Sequence, residues 1–170
     1  LTTIKGAMAG VRTIGEEAFF GCPLTEFTVP AACETIGSRA FSKTKIAKFN
    51  VAAGNANFKV IDEALYTADK SLLIAFPPES ATTTLAVADG CRGIQGGAFQ
   101  GAKVTKVTLP SSVIALDEFA FCQSALTDIT LSDNIVFFGQ QAFASTNITS
   151  MTLPQGLRDL ADAVFAGCEK

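Results

Sequence analysis

The sequence predicts an elongated α/β solenoid, because one pattern returns at a fixed spacing along most of the chain. A phenylalanine anchor recurs every 22 residues, except across one longer interval from Phe41 to Phe99. The six anchors are Phe19, Phe41, Phe99, Phe121, Phe143 and Phe165. An apolar residue stands five positions before each anchor, and further apolar residues follow all but the last anchor at positions five, eight and ten. A fixed period of this length indicates units that bury their apolar faces only by stacking on their neighbours.

Each regular unit is predicted to contain one short strand after its anchor. In Leu24–Val29 and Ile46–Val51, apolar and polar residues alternate toward the end of the segment, as in a strand with one buried face. We expect these strands to stack in one sheet. Proline lacks an amide hydrogen and therefore ends strand pairing. Three of the strands are followed by proline, at Pro30, Pro110 and Pro154. Residues 1–4 match the second half of such a unit.

The segment that leads into each anchor is too short for a full helix, so we expect a single helical turn at each corner of the solenoid. Three units have a glycine four residues before the anchor, namely Gly15, Gly37 and Gly139. Glycine adopts positive φ without steric cost. We therefore expect these three glycines to have positive φ at the corner.

Residues 52–93 interrupt the pattern and are predicted to form one irregular unit. Tyr66 takes the place of the anchor there, five residues after Ile61. Ala68–Ser71 is predicted to be a hairpin turn between strands at Ala64–Tyr66 and Leu72–Phe76. Long irregular segments on a rigid scaffold are often functional, so this unit is one candidate site. The alternative is a tolerated insertion, since lengthening a surface loop adds little closure entropy.

The repeat resembles a known family. Residues 14–30 read Ile-Gly-x-x-Ala-Phe-x-x-Cys-x-Leu-Thr-x-Phe-x-Val-Pro, which is similar to the leucine-rich repeats of the BspA-like family of bacterial and protozoan surface proteins. The irregular unit resembles the hairpin-bearing unit common in that family. The resemblance implies a leucine-rich-repeat solenoid and, more loosely, a secreted or cell-surface protein used for adhesion or binding. Shorter leucine-rich repeats place a buried asparagine ladder at positions that hold Ala32, Ser112, Asn134 and Gly156 here.

We expect residues 1–170 to form one leucine-rich-repeat domain that is a segment of a longer chain. Net charge is −3 at pH 7, which gives no long-range attraction for a polyanion, so nucleic acid is not an expected partner. No apolar run approaches the roughly 20 residues that a transmembrane helix needs. Only the family resemblance implies an extracellular or cell-surface location.

The residue types disfavour catalysis and cofactor binding. The chain has no histidine, which excludes Ser-His-Asp and Cys-His arrangements. It also has no Cys-x-x-Cys pair and no carboxylate run with calcium-loop spacing, so we expect no metal, no cofactor and no catalytic residue. A hydrolase with paired carboxylates stays open among the sixteen acidic residues, but it requires a cleft that the repeat does not provide.

Five cysteines raise the question of disulfides. Cys33 and Cys91 occupy a slot that holds Val, Ile or Leu in other units, so we expect them to be small buried hydrophobic residues. Cys22 and Cys168 share another slot but lie six or more stacked units apart. At about 4.8 Å per unit this separation exceeds the reach of a disulfide. We expect five free thiols.

The outward side of the strands is the main candidate binding surface. Strand alternation predicts two adjacent columns of polar residues: Thr28, Asn50, Thr108, Thr130 and Thr152 in one, and Glu26, Lys48, Lys106, Asp128 and Ser150 in the other. Repeat proteins usually bind partners on such extended surfaces. The expected ligand is a protein or a glycan, for example one of a host matrix. The alternative is that threonine merely suits exposed strands, and that the chain is a structural spacer of a cell-surface protein.

Overall fold

The computed structural model describes residues 1, 4 and 8–168, which form a β-solenoid of about seven rungs, a rung being one circuit of the chain. The predicted half-unit at residues 1–4 falls partly on residues 2 and 3, which lie outside the described residues. The strands of the described chain are β1 Thr13–Ile14, β2 Glu26–Val29, β3 Thr35–Ile36, β4 Lys48–Val51, β5 Phe58–Ile61, β6 Ala64–Thr67, β7 Leu72–Ala75, β8 Thr84–Ala86, β9 Gly93–Ile94, β10 Lys106–Thr108, β11 Ala115–Leu116, β12 Asp128–Thr130, β13 Phe137–Phe138 and β14 Asp159–Leu160.

The strands lie on two faces of the solenoid, so the expectation of a single sheet is wrong. Two-residue strands before the anchors form the short-strand face, made of β1 and β3 in one half and β9, β11, β13 and β14 in the other. Strands after the anchors form the long-strand face, made of the pair β2–β4 and the sheet β8–β10–β12. Neighbouring strands on both faces are parallel and offset by one 22-residue repeat, as in Thr13 with Thr35 and Lys106 with Asp128. Each regular rung therefore contributes to both faces.

The corners contain no helix in the described residues, so the predicted helical turn is also wrong. Alternate amides of the first corner donate to the carbonyls of the next rung: Glu17 to Ser38, Phe19 to Ala40 and Gly21 to Ser42, at 2.9–3.1 Å. The amides between them donate three residues back along the chain. Glu17 and Gly21 have φ of 54° and 67°, and the equivalent positions of the other regular corners are also positive. A right-handed helix cannot pass through such residues, so the corner is a series of tight turns.

The prediction of positive φ at the three corner glycines is wrong, and two of the three are required for another reason. None of them has positive φ. A Cβ atom on Gly37 would clash with the backbone nitrogen of Glu16, and one on Gly139 would clash with that of Glu118. Gly37 and Gly139 therefore allow adjacent rungs to approach closely, whereas a Cβ on Gly15 would meet nothing within 4 Å.

Serine and asparagine side chains form hydrogen bonds between rungs at the positions where shorter leucine-rich repeats have an asparagine ladder. Ser112 Oγ donates to the Cys91 carbonyl of the preceding rung at 2.7 Å. Asn134 Nδ2 donates to the Ser111 carbonyl at 2.8 Å. The first bond is half-buried and the second is exposed, and both satisfy a backbone carbonyl of the adjacent rung.

The irregular unit forms a partition through the middle of the core. Its strands run β5–β6–β7 with antiparallel pairing, and β7 then pairs in parallel with β9, so the predicted hairpin at Ala68–Ser71 is confirmed. Leu65 and Ile74 pack into the N-terminal core. Tyr66, Leu73 and Phe76 pack into the C-terminal core. Because β6 and β7 are buried on both sides, they are continuously apolar instead of alternating.

The four inner anchors are buried in the core as predicted, whereas Phe19 and Phe165 are half-buried and pack against it. Phe121 is fully buried and stacks between Phe99 and Phe143, with ring centroids 4.6 Å and 5.4 Å away. Cys33 and Cys91 are also fully buried, as the repeat predicts, and all five cysteines are free thiols in the structure. Burial raises the pKa of both buried thiols.

Candidate binding surface

The long-strand face presents alternate side chains to solvent. In β2, Glu26 and Thr28 are exposed, whereas Phe27 and Val29 are buried. β10 repeats this alternation around a fully buried Val107. The alternation follows from the twofold side-chain period of a strand with one face in the core. Polar residues of this face are therefore displayed on backbone that the core holds rigid.

Register places eight of the ten candidate residues side by side in two groups. In the N-terminal group, Glu26 lies beside Lys48 and Thr28 lies beside Asn50. In the C-terminal group, the neighbouring pairs are Lys106 with Asp128 and Thr108 with Thr130. All eight are exposed except Asn50, which is half-buried. Ser150 and Thr152 are exposed as well but belong to no strand.

The C-terminal group contains one position that the sequence reasoning missed. Thr84 pairs with Lys106, so it extends that column by one residue, and it is exposed. Leu85 occupies the same slot as Val107, which was a sufficient signal for placing Thr84 next to it.

A segment of the irregular unit separates the two groups. The Glu79 amide donates to the Ile46 carbonyl at 2.9 Å, and the Lys103 amide donates to the Pro78 carbonyl at 3.2 Å. The Glu79 carboxylate also forms ion pairs with Lys45 Nζ, at 3.1 Å, and with Lys103 Nζ. These two ammonium groups hold the pKa of Glu79 below its usual range. The predicted columns are therefore interrupted by a charged cluster that was not predicted.

The surface is polar and carries charges of both signs. Lys106 Nζ lies 2.8 Å from Asp128 Oδ2, and both side chains are about half exposed, so this ion pair contributes little to stability. Threonine hydroxyls both donate and accept hydrogen bonds. Such a surface can hydrogen-bond an extended polar ligand.

An interior cavity of the described chain is too small for an organic ligand. A cavity of about 10 Å³ lies between Arg39, Phe76 and Gln100, which is room for about one water molecule. No group of three or more His, Cys, Asp or Glu side chains within residues 8–168 is placed to hold a metal ion. Nor do these residues include a helix long and apolar enough to cross a membrane.

The polar parts of the irregular unit hold the fold together. Asn55 Nδ2 donates to the carbonyls of Pro30 and Cys33 at 2.7 Å and 3.0 Å, and Asn57 Nδ2 also donates to the Cys33 carbonyl. The Tyr66 ring is buried, and its hydroxyl accepts a hydrogen bond from the Ala88 amide at 3.2 Å. These contacts give Asn55, Asn57 and Tyr66 a structural role. A binding site in the irregular unit stays a prediction.

Asp69 organises the hairpin turn of the irregular unit. Its Oδ1 accepts hydrogen bonds from Thr67 Oγ1 at 2.6 Å and from the amide and hydroxyl of Ser71 at 3.0 Å and 2.8 Å. The Thr67 hydroxyl and the Ser71 donors lower the pKa of Asp69 to about 2. One oxygen of the carboxylate thus serves the turn.

Corner aromatics differ in their contacts. The Arg39 guanidinium lies 5.0 Å from the ring centre of Phe20 and 4.5 Å from that of Phe119, and it pairs with Glu17 at 2.7 Å. These two rings therefore fold back on the protein. Phe137 remains 41% exposed on the short-strand face.

Comparison with known proteins connects this geometry to a family. The family model described as "BspA type Leucine rich repeat region (6 copies)" matches residues 1–86 and 75–170, which together span the chain. No curated protein matches the chain by sequence.

Solved bacterial structures share the fold. The pneumococcal vaccine antigen PcpA superposes with a TM-score of 0.88 at 23% identity, over 93% of this chain and 40% of that chain. A leucine-rich cell surface protein from Faecalibacterium prausnitzii A2-165 gives 0.85 at 30% identity, over 94% and 43%. A leucine-rich repeat protein from Eubacterium ventriosum gives 0.78 at 20% identity, over 92% and 43%. The chain thus spans about two fifths of the length of each of these structures.

Proposed function

The chain belongs to the BspA-type leucine-rich-repeat family, and from this premise we propose that it is a non-catalytic extracellular binding or adhesion module. It recognises a protein or a glycan through the outward side of its long-strand face. A solved relative at 30% identity is described as a cell surface protein, which supports a location outside the cell. Family membership and a rigid polar surface are the basis of the proposal.

The alternation of burial along the long strands carries the proposal. Thr108 and Thr130 are exposed next to the buried Val107 and the half-buried Ile129. Their backbones are fixed by parallel pairing, so the hydroxyls are presented without an ordering cost for the backbone. Adjacent strands place equivalent groups about 4.8 Å apart. This regular spacing suits an extended ligand with repeated polar groups, such as a glycan chain or an extended peptide.

The test is a binding screen with a surface variant. The chain is immobilised and exposed to host matrix proteins and to a glycan array, and each ligand found is titrated against Thr108→Arg/Thr130→Arg. Two bulky charged side chains at the centre of the C-terminal group should weaken binding at least tenfold, which corresponds to about 1.4 kcal/mol. Thr35→Arg is the matched control, because Thr35 is an exposed strand threonine on the short-strand face.

Circular dichroism must show that both variants fold. Binding that is unchanged by Thr108→Arg/Thr130→Arg would exclude the C-terminal group of the long-strand face as the site. A chain that binds no matrix protein and no glycan would instead support the structural spacer of a cell-surface protein.

A further inference from the structure

The short-strand face carries a patch of exposed apolar side chains in its C-terminal half. Ile114, Val136 and Phe137 are 39%, 40% and 41% exposed. They are neighbours: the Val136 amide donates to the Ile114 carbonyl at 3.0 Å, and Phe137 lies in register beside Ala115. Contiguous exposed apolar side chains on a soluble domain commonly mark an interaction surface.

The patch lies within two columns that cross four rungs. The outer column contains Arg92, Ile114, Val136 and Arg158, whose backbones are linked rung to rung by hydrogen bonds of 2.9–3.3 Å. The inner column contains Gly93, Ala115, Phe137 and Asp159, which lie in parallel register. Charged residues thus stand at both ends, and apolar residues lie between them.

The corresponding positions of the N-terminal half are polar and already paired. Arg12 and Glu34 form an ion pair at 3.6 Å, and the Thr35 hydroxyl donates to the Thr13 hydroxyl at 3.1 Å. In contrast, Arg92, Arg158 and Asp159 form no ion pair with any described residue. The unpaired charges and the apolar side chains therefore occur together in one half of this face.

We propose that this patch binds the same patch of a second copy of the chain. The two copies meet face to face, related by a two-fold axis that runs along the solenoid between the two columns. This symmetry keeps equal rungs opposite each other and exchanges the columns. It places Arg158 opposite Asp159, Val136 opposite Phe137, Ile114 opposite Ala115 and Arg92 opposite Gly93.

Each of these facing pairs is complementary in charge or in size. Arg158 and Asp159 form an ion pair twice, once on each side of the axis. Ile114 and Arg92 are large side chains that face the smallest residues of the inner column, and Val136 meets an exposed aromatic ring. The other face-to-face arrangement, with the axis along the strands, sets Arg92 against Arg158 and is opposed by like charges.

The patch is small, so the dimer is expected to be weak. Four rungs at about 4.8 Å each make a strip about 15–20 Å long. Such a strip corresponds to the smaller, transient class of protein interfaces. We expect a dissociation constant on the order of 10–100 μM, which an ordinary dilute preparation does not reveal.

Sedimentation velocity from about 5 μM to about 1 mM tests the proposal, at concentrations that bracket the expected constant. The wild-type chain should shift from monomer to dimer. Phe137→Glu buries a carboxylate in the interface and should weaken dimerisation at least tenfold, and Val136→Glu is a second variant in case the first fails to fold. Thr35→Glu is the matched control on the polar half of the same face and should dimerise as the wild type does.

Charge exchange tests the arrangement of the two copies. Arg158→Asp opposes two carboxylates and should weaken the dimer, whereas Arg158→Asp/Asp159→Arg recreates the opposite pairing and should restore it. A chain that stays monomeric up to 1 mM overturns the proposal. This holds even if the patch binds a foreign protein and Phe137→Glu removes that binding. A dimer that Phe137→Glu does not weaken places the contact elsewhere. A dimer that the double exchange fails to restore overturns the two-fold arrangement.

Discussion

Replacing Phe121 by alanine should reveal how much stability one anchor contributes. Its ring is fully buried and stacks nearly parallel to both neighbours, at interplanar angles of 11° to Phe99 and 4° to Phe143. The mutation removes the buried ring and leaves a cavity between two aromatic rings. Loss of a buried phenylalanine by this route costs about 3–5 kcal/mol.

The upper part of that range is expected at this position. The Phe121 amide donates to the Ala142 carbonyl at 2.7 Å, and the Phe99 amide donates to the Ala120 carbonyl at 2.7 Å. These rung-to-rung hydrogen bonds fix the spacing between neighbouring backbones. The flanking rings therefore cannot move together to fill the cavity. With a urea slope of about 2 kcal/mol/M, a loss of about 4 kcal/mol lowers the unfolding midpoint by about 2 M.

Urea unfolding followed by circular dichroism measures this effect. Phe137→Ala is the control, because it removes the same atoms from a side chain that is 41% exposed and should cost clearly less. A midpoint for Phe121→Ala close to that of the wild type, or a larger loss for Phe137→Ala, would refute the assignment of Phe121 to the centre of the stack.

Two further predictions concern groups inside the core. A thiol reagent in denaturant without reductant should count five free thiols, and a lower count would reveal a disulfide. In native buffer Cys33 and Cys91 should not react, since both are fully buried and burial raises the pKa of each thiol. Burial raises the pKa of Tyr66 to about 12, so tyrosinate absorbance of this single tyrosine should appear about two pH units higher in the folded chain than in urea. Because the folded pKa is the higher one, the stability linked to the neutral phenol is complete below about pH 10 and is lost as the pH rises toward 12; a native midpoint near 10 would contradict this burial.

Much of the core was predictable, because in a stacked repeat each apolar residue packs against the residues at the equivalent position of the neighbouring repeats. A 22-residue offset places Phe121 next to Phe99 and Phe143 whatever the detailed geometry of the corner. The same argument predicted the burial of Cys33 and Cys91. It also predicted which strand residues of the candidate surface face solvent, since a buried Phe27 or Val107 forces its neighbours outward.

The interruption of the candidate surface was not predictable from the repeat. It depends on Glu79 and Pro78, which form hydrogen bonds to two rungs that are distant in sequence. A comparison between repeats cannot place a segment that occurs in only one of them. For the same reason the hairpin was predicted as an element, whereas its burial between two cores was not.

The sequence alone determined the solenoid, its register and its inward-facing residues, because these follow from an apolar period that any stacking must satisfy. Only the tertiary structure decided the conformation of the corners. Positive φ falls there on Glu17, Arg39 and Phe119, residue types that give no local signal for it. Their strain is offset by hydrogen bonds from alternate amides to the adjacent rung, and those acceptors exist only when the rungs are stacked.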